Sequence, residues 1–299
     1  LPVAVTKAKT LLTQPAPNLG PKSAYQAQAI DVGMFDVSFS ENYADEARDA
    51  ILFAAGILDK MFNLTDTVEM MCNFNVAVSA NNLGSCSPDK WHIVNNVYAT
   101  QALAKQLAGE SNLSNPSEFD LTLNMNSGRT DWYFGTDGNC PAGQYDFVSI
   151  AMHEIVHGLG FTGRFGFANN GYEYVISEWD EPSTYDNLVT DGSGTLITSL
   201  TTTEAAAAIV TDVEFSGAST MAQNGNIRPD LYAPSTWNGG SSYSHFDESY
   251  FATGTLNSLM TPFIGNGEVN HTPGPVGLAL MQDIGYSVNL TFGCTDPEG

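Results

Sequence analysis

Two histidines stand four residues apart in AMHEIVHGLGFTGRF, residues 151–165, and a glutamate directly follows the first of them. Four residues are about one helical turn, so the spacing predicts that His153 and His157 project from the same face of a helix. Histidine pairs with this spacing bind zinc, and Glu154 between them can reach a water molecule at the metal. The glycines that follow predict an early end to the helix. The segment therefore supplies two ligands of a candidate zinc site.

A catalytic zinc site needs a third protein ligand and one open position. In the compact version of this motif, a histidine stands six residues after the second histidine, where this chain has Gly163. Glycine has no side chain, so the compact version is excluded and the third ligand must come from farther along the chain. The candidates are Glu173, Glu178, Glu181, His245 and His271.

The surroundings of these candidates differ. The glutamates lie in YEYVISEWDEPSTYDN, where a proline and a strand-like opening are unfavourable for the helix that a His–His–Glu site would need. His245 lies in GSSYSHFDES and precedes NSLMTP (257–262), which places Met260 in a tight turn that ends in a proline. His245 and Glu178 stay open as third ligands at this point, and the histidine is favoured.

The segments HEIVHGLGF, SHFDE, NSLMTP and LMQDIGY, in this order, resemble the metzincin zinc metalloproteases. Among these, the chain is similar to the leishmanolysin-like group and its secreted bacterial relatives, in which a large insertion separates the second and third ligands. The resemblance covers roughly residues 120 to 286. It implies Zn²⁺ held by His153, His157 and His245, because the third ligand precedes the methionine turn in such proteins. That order disfavours His271.

The implied activity is that of a zinc-dependent endopeptidase that hydrolyses peptide bonds with a metal-activated water molecule. Glu154 is the expected general base, and Met260 is expected beneath the metal without coordinating it. Protein or peptide substrates would pair with a sheet edge, for which the strand near Leu121–Met125 is the candidate. Two alternatives stay open: a gluzincin-like peptidase with Glu178 as the third ligand, and a non-catalytic adhesion module that zinc stabilises.

The third histidine follows the second by 88 residues. Loop closure costs about 0.6 kcal/mol per doubling of length, so replacing the six-residue connection by this one costs roughly 2–3 kcal/mol. Structural zinc binding contributes roughly 10–16 kcal/mol in small peptides. The long separation is therefore physically acceptable.

The composition restricts the partners. With 33 acidic and 10 basic residues, the chain has a formal net charge of -23, which repels phosphate backbones and argues against nucleic-acid binding. The acidic surface suggests structural Ca²⁺ as a second ion. No apolar run reaches the ~18 residues of a membrane span. We expect the protein to be secreted and monomeric.

Four cysteines allow two disulfides, a feature of secreted proteins. Cys72 and Cys86 flank a strand-like segment and the turn after it, and they are the favoured pair. Cys140 and Cys294 are then left as the second pair.

The resemblance and the local patterns together predict an α+β, metzincin-like fold. We expect an extended arm (1–30), an N-terminal catalytic lobe (31–165) with a twisted mixed sheet and the zinc helix, and an irregular C-terminal lobe (166–299) with a terminal helix, with a cleft between the lobes. Hydrophobic periodicity predicts helices at 41–62, 95–109, 145–160, 201–213 and 274–286 and strands at 74–80 and 119–125. Asp146 is the expected N-cap of the zinc helix, and Gly158 or Gly160 its end.

Overall fold

A computed structural model describes residues 30–40, 43–75, 82–168, 173–176 and 182–291 of the chain. The predicted α+β class is confirmed. The helices are α1 (Asp45–Met61), α2 (Gln101–Ala108), α3 (Phe147–Leu159), α4 (Thr202–Ala208), α5 (Ala218–Gln223) and α6 (Gly274–Ile284). The strands are β1 (Ile30–Val32), β2 (Phe35–Phe39), β3 (Val68–Asn75), β4 (Gly84–Pro88), β5 (Trp91–Val94), β6 (Val97–Thr100), β7 (Leu121–Asn126), β8 (Trp132–Tyr133), β9 (Tyr145–Asp146), β10 (Phe165–Ala168), β11 (Glu173–Ile176), β12 (Val189–Asp191), β13 (Val213–Phe215) and β14 (Asp230–Leu231).

The largest sheet is mixed and has the strand order β1-β2-β3-β7-β4. Its three central strands run parallel, whereas β1 and β4 pair antiparallel with β2 and β7. Helix α1 packs against β2 and α3, and α3 packs against β4 and β7. Alanines and aliphatic residues recur on the buried face of α1, as amphipathic periodicity requires. The sheet and α1 thus enclose the helix that carries the HEIVH segment.

The segment between the second and third histidines contains a small antiparallel sheet, β12-β13-β14, and the short helices α4 and α5. Helix α6 packs against α5. Buried apolar side chains form one continuous cluster from Phe35 to Tyr286. The division into two lobes at residue 165 stays a prediction, and residues 1–29 of the proposed arm lie outside the described residues.

One predicted helix is wrong in its first half. Residues 91–100 form the β5–β6 hairpin, and α2 begins only at Gln101. Asn95 and Asn96 form the turn with φ angles of 53° and 64°, the left-handed region that a two-residue hairpin turn requires and that asparagine tolerates. Valine and tyrosine in the following VYAT favour a strand. The alanine-rich second half of the prediction is confirmed.

The predicted substrate edge is also wrong. Strand β7 (Leu121–Asn126) pairs with β3 on one side and β4 on the other, so it lies inside the sheet. Five of the six residues of β7 are buried, which is typical of an interior strand. Within the described residues, β4 is the outer strand on this side.

The favoured disulfide between Cys72 and Cys86 is contradicted. The two cysteines lie opposite Leu123 of β7 on its two sides, so two strand spacings, about 10 Å, separate their backbones. A disulfide requires Cα atoms within roughly 7 Å. Both thiols are free and buried. Cys140 has no disulfide partner among the described residues, and Cys294 lies outside them.

None of the helices in the described part of the chain combines the length and the apolar character needed to cross a bilayer.

Candidate metal centre

Helix α3 begins where the sequence predicted. The carboxylate of Asp146 accepts hydrogen bonds from the backbone N–H of Ser149 at 2.8 Å and from its hydroxyl at 2.6 Å. These bonds satisfy a backbone donor that the first helical turn leaves without a partner. All thirteen residues of the helix are buried. The direction of the helix is therefore fixed at its first turn, seven residues before His153.

The two glycines of the HEIVHGLG segment have different roles. Gly160 is the C-cap, with φ at 139°, and its N–H donates to the carbonyls of Val156 and His157. Gly158 lies inside the helix, where a Cβ atom would be 2.6 Å from the sulfur of Cys86. Of the two predicted stops, Gly160 ends the helix. Gly158 allows the helix to lie close to β4.

The two helical histidines have their rings close together. Their Nε2 atoms are 3.0 Å apart, and both rings are buried. His153 Nδ1 donates to the carbonyl of Leu259, and His157 Nδ1 donates to that of Phe161, each at 2.6 Å. A carbonyl oxygen only accepts, so each ring carries its proton on Nδ1 and leaves the Nε2 lone pair bare.

His245 completes the group. Its Nε2 lies 3.1 Å from that of His157 and 3.2 Å from that of His153, and its Nδ1 donates to the carbonyl of Ser241 at 2.8 Å. Within the described residues, these three histidines are the only group of three or more His, Cys, Asp or Glu side chains close enough to hold a metal ion. Structural Ca²⁺ stays a prediction.

The donor set fits a zinc ion. Three buried Nε2 lone pairs face one another at 3.0–3.2 Å, an arrangement that is repulsive unless a cation lies between them. Two nitrogens bound to one tetrahedral zinc at about 2.0–2.1 Å lie roughly 3.3 Å apart. Burial lowers the pKa of His153 to about 4 and also lowers those of His157 and His245, which keeps the imidazoles neutral at neutral pH. Neutral imidazole is the form that binds metals.

The other candidate ligands lie elsewhere or are not described. His271 Nε2 contacts the carboxylate of Asp146 at 2.8 Å, at the beginning of α3. His92 is bonded to Gln101. Glu173 lies in β11, and Glu178 and Glu181 lie outside the described residues.

Glu154 is buried beside the histidines. The backbone N–H of Cys86 donates to its carboxylate, whereas Oε2 has no hydrogen-bond partner in the described structure. A Cβ atom at Gly84 would be 3.2 Å from Glu154 Cγ, so the side chain lies against β4. Burial raises the pKa of Glu154 to about 8. A nearby cation would favour the ionised carboxylate again.

The turn around Met260 joins the helix to the third histidine. The carbonyl of Leu259 orients His153, and the carbonyl of Met260 accepts the N–H of Phe246, the residue after His245, at 3.0 Å. Met260 itself is fully buried. Neighbouring carbonyls of one turn thus fix the ring of His153 and the segment that carries His245.

A small cavity opens next to His153. The first turn of α3 and the segment after Met260 form its walls. Its apolar lining comes from Ile150, Leu259, Phe263 and Ile264. The MTPFIG segment (260–265) and α3 thus contribute to this cavity, and no residue of α6 lines it.

Sequence reasoning missed two buried residues near the histidines, Asp186 and Tyr243. Tyr243 donates its hydroxyl proton to Asp186 at 3.0 Å, and a side chain at Gly163 would overlap its ring. The sequence signal that could have identified Tyr243 is its position two residues before His245.

A model of the family described as SPBPB7E8-like matches residues 70–217. The match covers slightly less than half of the chain and includes α3 with its two histidines, but it ends before His245. No curated protein and no solved structure matches the chain. The chemistry must therefore be argued from the site itself.

Proposed function

We propose that this protein is a secreted zinc-dependent endopeptidase of the metzincin type. The observation that carries the proposal is the convergence of three imidazole Nε2 atoms beside a buried glutamate with an unpartnered oxygen. A purely structural metal site has no need of a buried carboxyl group at this position, and burying one costs free energy. The charge-poor, acidic composition supports secretion.

A zinc ion bound to three neutral imidazoles supplies a strong Lewis acid that lowers the pKa of water and polarises a carbonyl group. Glu154 accepts a proton from the attacking water molecule and delivers it to the leaving amine nitrogen. Its burial excludes bulk water from the carboxyl group, and the Cys86 N–H holds that group in one orientation.

Strand β4 is the candidate platform for the substrate. It is the outer strand of the sheet within the described residues, and it lies against Glu154 at Gly84 and Cys86. An extended peptide is bound by main-chain hydrogen bonds when it adds to such an edge. A peptide bound in this way would have a peptide bond beside the proposed base, whatever the side chains of the peptide.

The cavity next to His153 would then accept one substrate side chain. Its aliphatic and aromatic lining favours an apolar residue, because burying an apolar side chain contributes roughly 1.5–3 kcal/mol. We expect peptides with leucine or phenylalanine at one position next to the cleaved bond to be preferred over peptides with aspartate there.

Metal analysis and proteolysis test the proposal together. We expect one zinc per wild-type chain by elemental analysis and none in His245→Ala, whereas Glu178→Ala is the control that keeps its zinc. Glu154→Gln should also keep zinc but digest casein about 10²–10⁴-fold more slowly, because it cannot accept a proton. Zinc retained by His245→Ala would reject the third ligand. Casein digestion at the wild-type rate by Glu154→Gln would reject the base.

A further inference from the structure

The carboxylate of Asp186 connects three separate parts of the chain. It accepts hydrogen bonds from the backbone N–H of Arg164 at 3.1 and 3.2 Å, from the N–H and hydroxyl of Ser183 at 2.8 and 2.6 Å, and from the Tyr243 hydroxyl at 3.0 Å. The side chain is fully buried. Bonds to an ionised acceptor are stronger than neutral ones, and losing one in the interior is costly.

Tyr243 is held from several sides. Its backbone has a φ of 74°, an unfavourable value for a residue with an aromatic side chain. The carbonyl accepts the Tyr185 hydroxyl at 2.8 Å, and the N–H donates to the carbonyl of Tyr232 at 2.8 Å. Its ring lies against Gly163, where no Cβ atom would fit. Such backbone strain persists only where surrounding contacts enforce it.

These contacts fix the segment 241–245 on both sides of Tyr243. His245 Nδ1 donates to the carbonyl of Ser241, and Ser244 Oγ accepts the N–H of Gly163 at 3.2 Å. The ring of His245 is therefore oriented by the backbone of the same short segment that Tyr243 anchors. A shift of this segment would move the histidine away from the helical pair.

We propose that Asp186 and Tyr243 are positioning residues that hold His245 at metal-binding distance. The proposal rests on the proposed zinc function. Asp186 ties the chain that leaves α3 at Arg164 to the chain that returns at Tyr243, 57 residues after Asp186 itself. In this protein, Tyr243 fills the space next to position 163, where a compact site would have its own third histidine.

Tyr243→Phe tests this directly, because it removes one hydroxyl group and keeps the ring. We expect zinc affinity, measured by competition with a chelator, to fall about 10-fold, the lower end of the range for a lost hydrogen-bond partner of a ligand, because the hydroxyl acts on His245 through the backbone of its segment. Hydrogen exchange of the amides in 241–246 should become faster in the full chain as purified. Asp186→Asn should also lower zinc affinity and speed up amide exchange in 241–246, since its amide nitrogen cannot accept hydrogen bonds.

Tyr286→Phe is the matched control. Its buried hydroxyl donates to the carbonyl of Leu159, which also accepts from Thr100, and this bond lies outside the segment 241–245. We expect unchanged zinc affinity and unchanged exchange in that segment. Folded Tyr243→Phe protein with the zinc affinity and amide exchange of the wild type would overturn the proposal. A wild-type chain that binds no zinc would reject the proposed function, and hydrogen exchange would still decide whether Tyr243 holds the segment.

Discussion

Helix α3 and the segment 241–246 bring imidazoles to the same point by different means. His153 and His157 share a face because they are four residues apart in a helix. Residues 241–246 belong to no helix or named strand, and His245 is placed by a bond to the nearby Ser241 carbonyl and by backbone pairing with residues 230–232. In both regions, a backbone carbonyl fixes the ring through Nδ1.

This difference between α3 and the segment 241–246 predicts which substitutions each proposed ligand tolerates. A helical ligand keeps its position as long as the helix forms, since the spacing is intrinsic to the backbone. The third ligand depends on a few buried contacts whose partners lie far away in sequence. We therefore expect substitutions at the contacts of Tyr243 to disturb the proposed metal site most. Substitutions in the outer part of the inserted segment, which is the chain between His157 and His245, should disturb it least.

Gly163→Ala should have the largest effect, because it breaks the junction between the two regions. An added Cβ atom would overlap the Tyr243 ring and lie 2.6 Å from Asp186 Oδ1. We expect a loss of about 3 kcal/mol in the free energy of unfolding, measured with urea, and weaker zinc binding. The control is Gly143→Ala, which meets no atom within 4 Å and should change stability by under about 1 kcal/mol. Equal stabilities of the two variants would contradict the close contact.

A pH series on chelator-treated protein examines the helical side of the comparison. Glu154 has its pKa raised from 4.5 to about 8, so the folded protein retains a proton that the unfolded chain releases in this window. Its contribution to stability is therefore lost as pH rises from 4.5 through about 8. His153 has its pKa lowered from 6.5 to about 4, so its contribution is lost as pH falls through that range.

Above pH 6.5, of Glu154 and His153 only Glu154 should still change the free energy of unfolding with pH. We expect the stability of Glu154→Gln, relative to wild type, to rise by about 1.4 kcal/mol per pH unit between pH 6.5 and 8. Urea unfolding at each pH measures it. Parallel curves for the two proteins would show that the carboxyl group does not hold its proton in the folded state.

Thr201→Ala should have the smallest effect on the site. Thr201 and Glu204 form a capping box at the beginning of α4, in the outer part of the inserted segment. Losing it should lower the free energy of unfolding by about 1 kcal/mol. Zinc affinity should not change, because no hydrogen bond within the described residues joins α4 to 241–245. A tenfold weaker affinity would show that the third ligand depends on the whole inserted segment.

Much of the fold was predictable from local patterns. The periodicity of apolar residues located α1, α3 and α6, and Asp146 and a following glycine marked the ends of α3. The β5–β6 hairpin was missed because its Asn–Asn turn lies inside a segment that also contains helix-favouring residues. The position of β7 inside the sheet was missed because strand order depends on long-range pairing that alternation does not encode.

The candidate site was predictable to a different extent. Spacing alone identified the helical pair and Glu154, whereas His245 required the order of distant segments and their resemblance to a known family. The structure brings all three histidines together. Asp186 was not predictable, since a buried carboxylate that accepts from backbone groups has no spacing signature. Its partners lie at positions 164, 183 and 243.

The three carbonyls that accept from the Nδ1 atoms have a consequence for metal uptake. Each selects the tautomer with a bare Nε2 before any ion arrives, so the imidazoles release no protons when a cation enters at neutral pH. Glu154, whose pKa burial raises to about 8, would then release its proton as the proposed ion enters, in addition to any proton lost by a water molecule on that ion. Filling the site would thereby also ionise the proposed base.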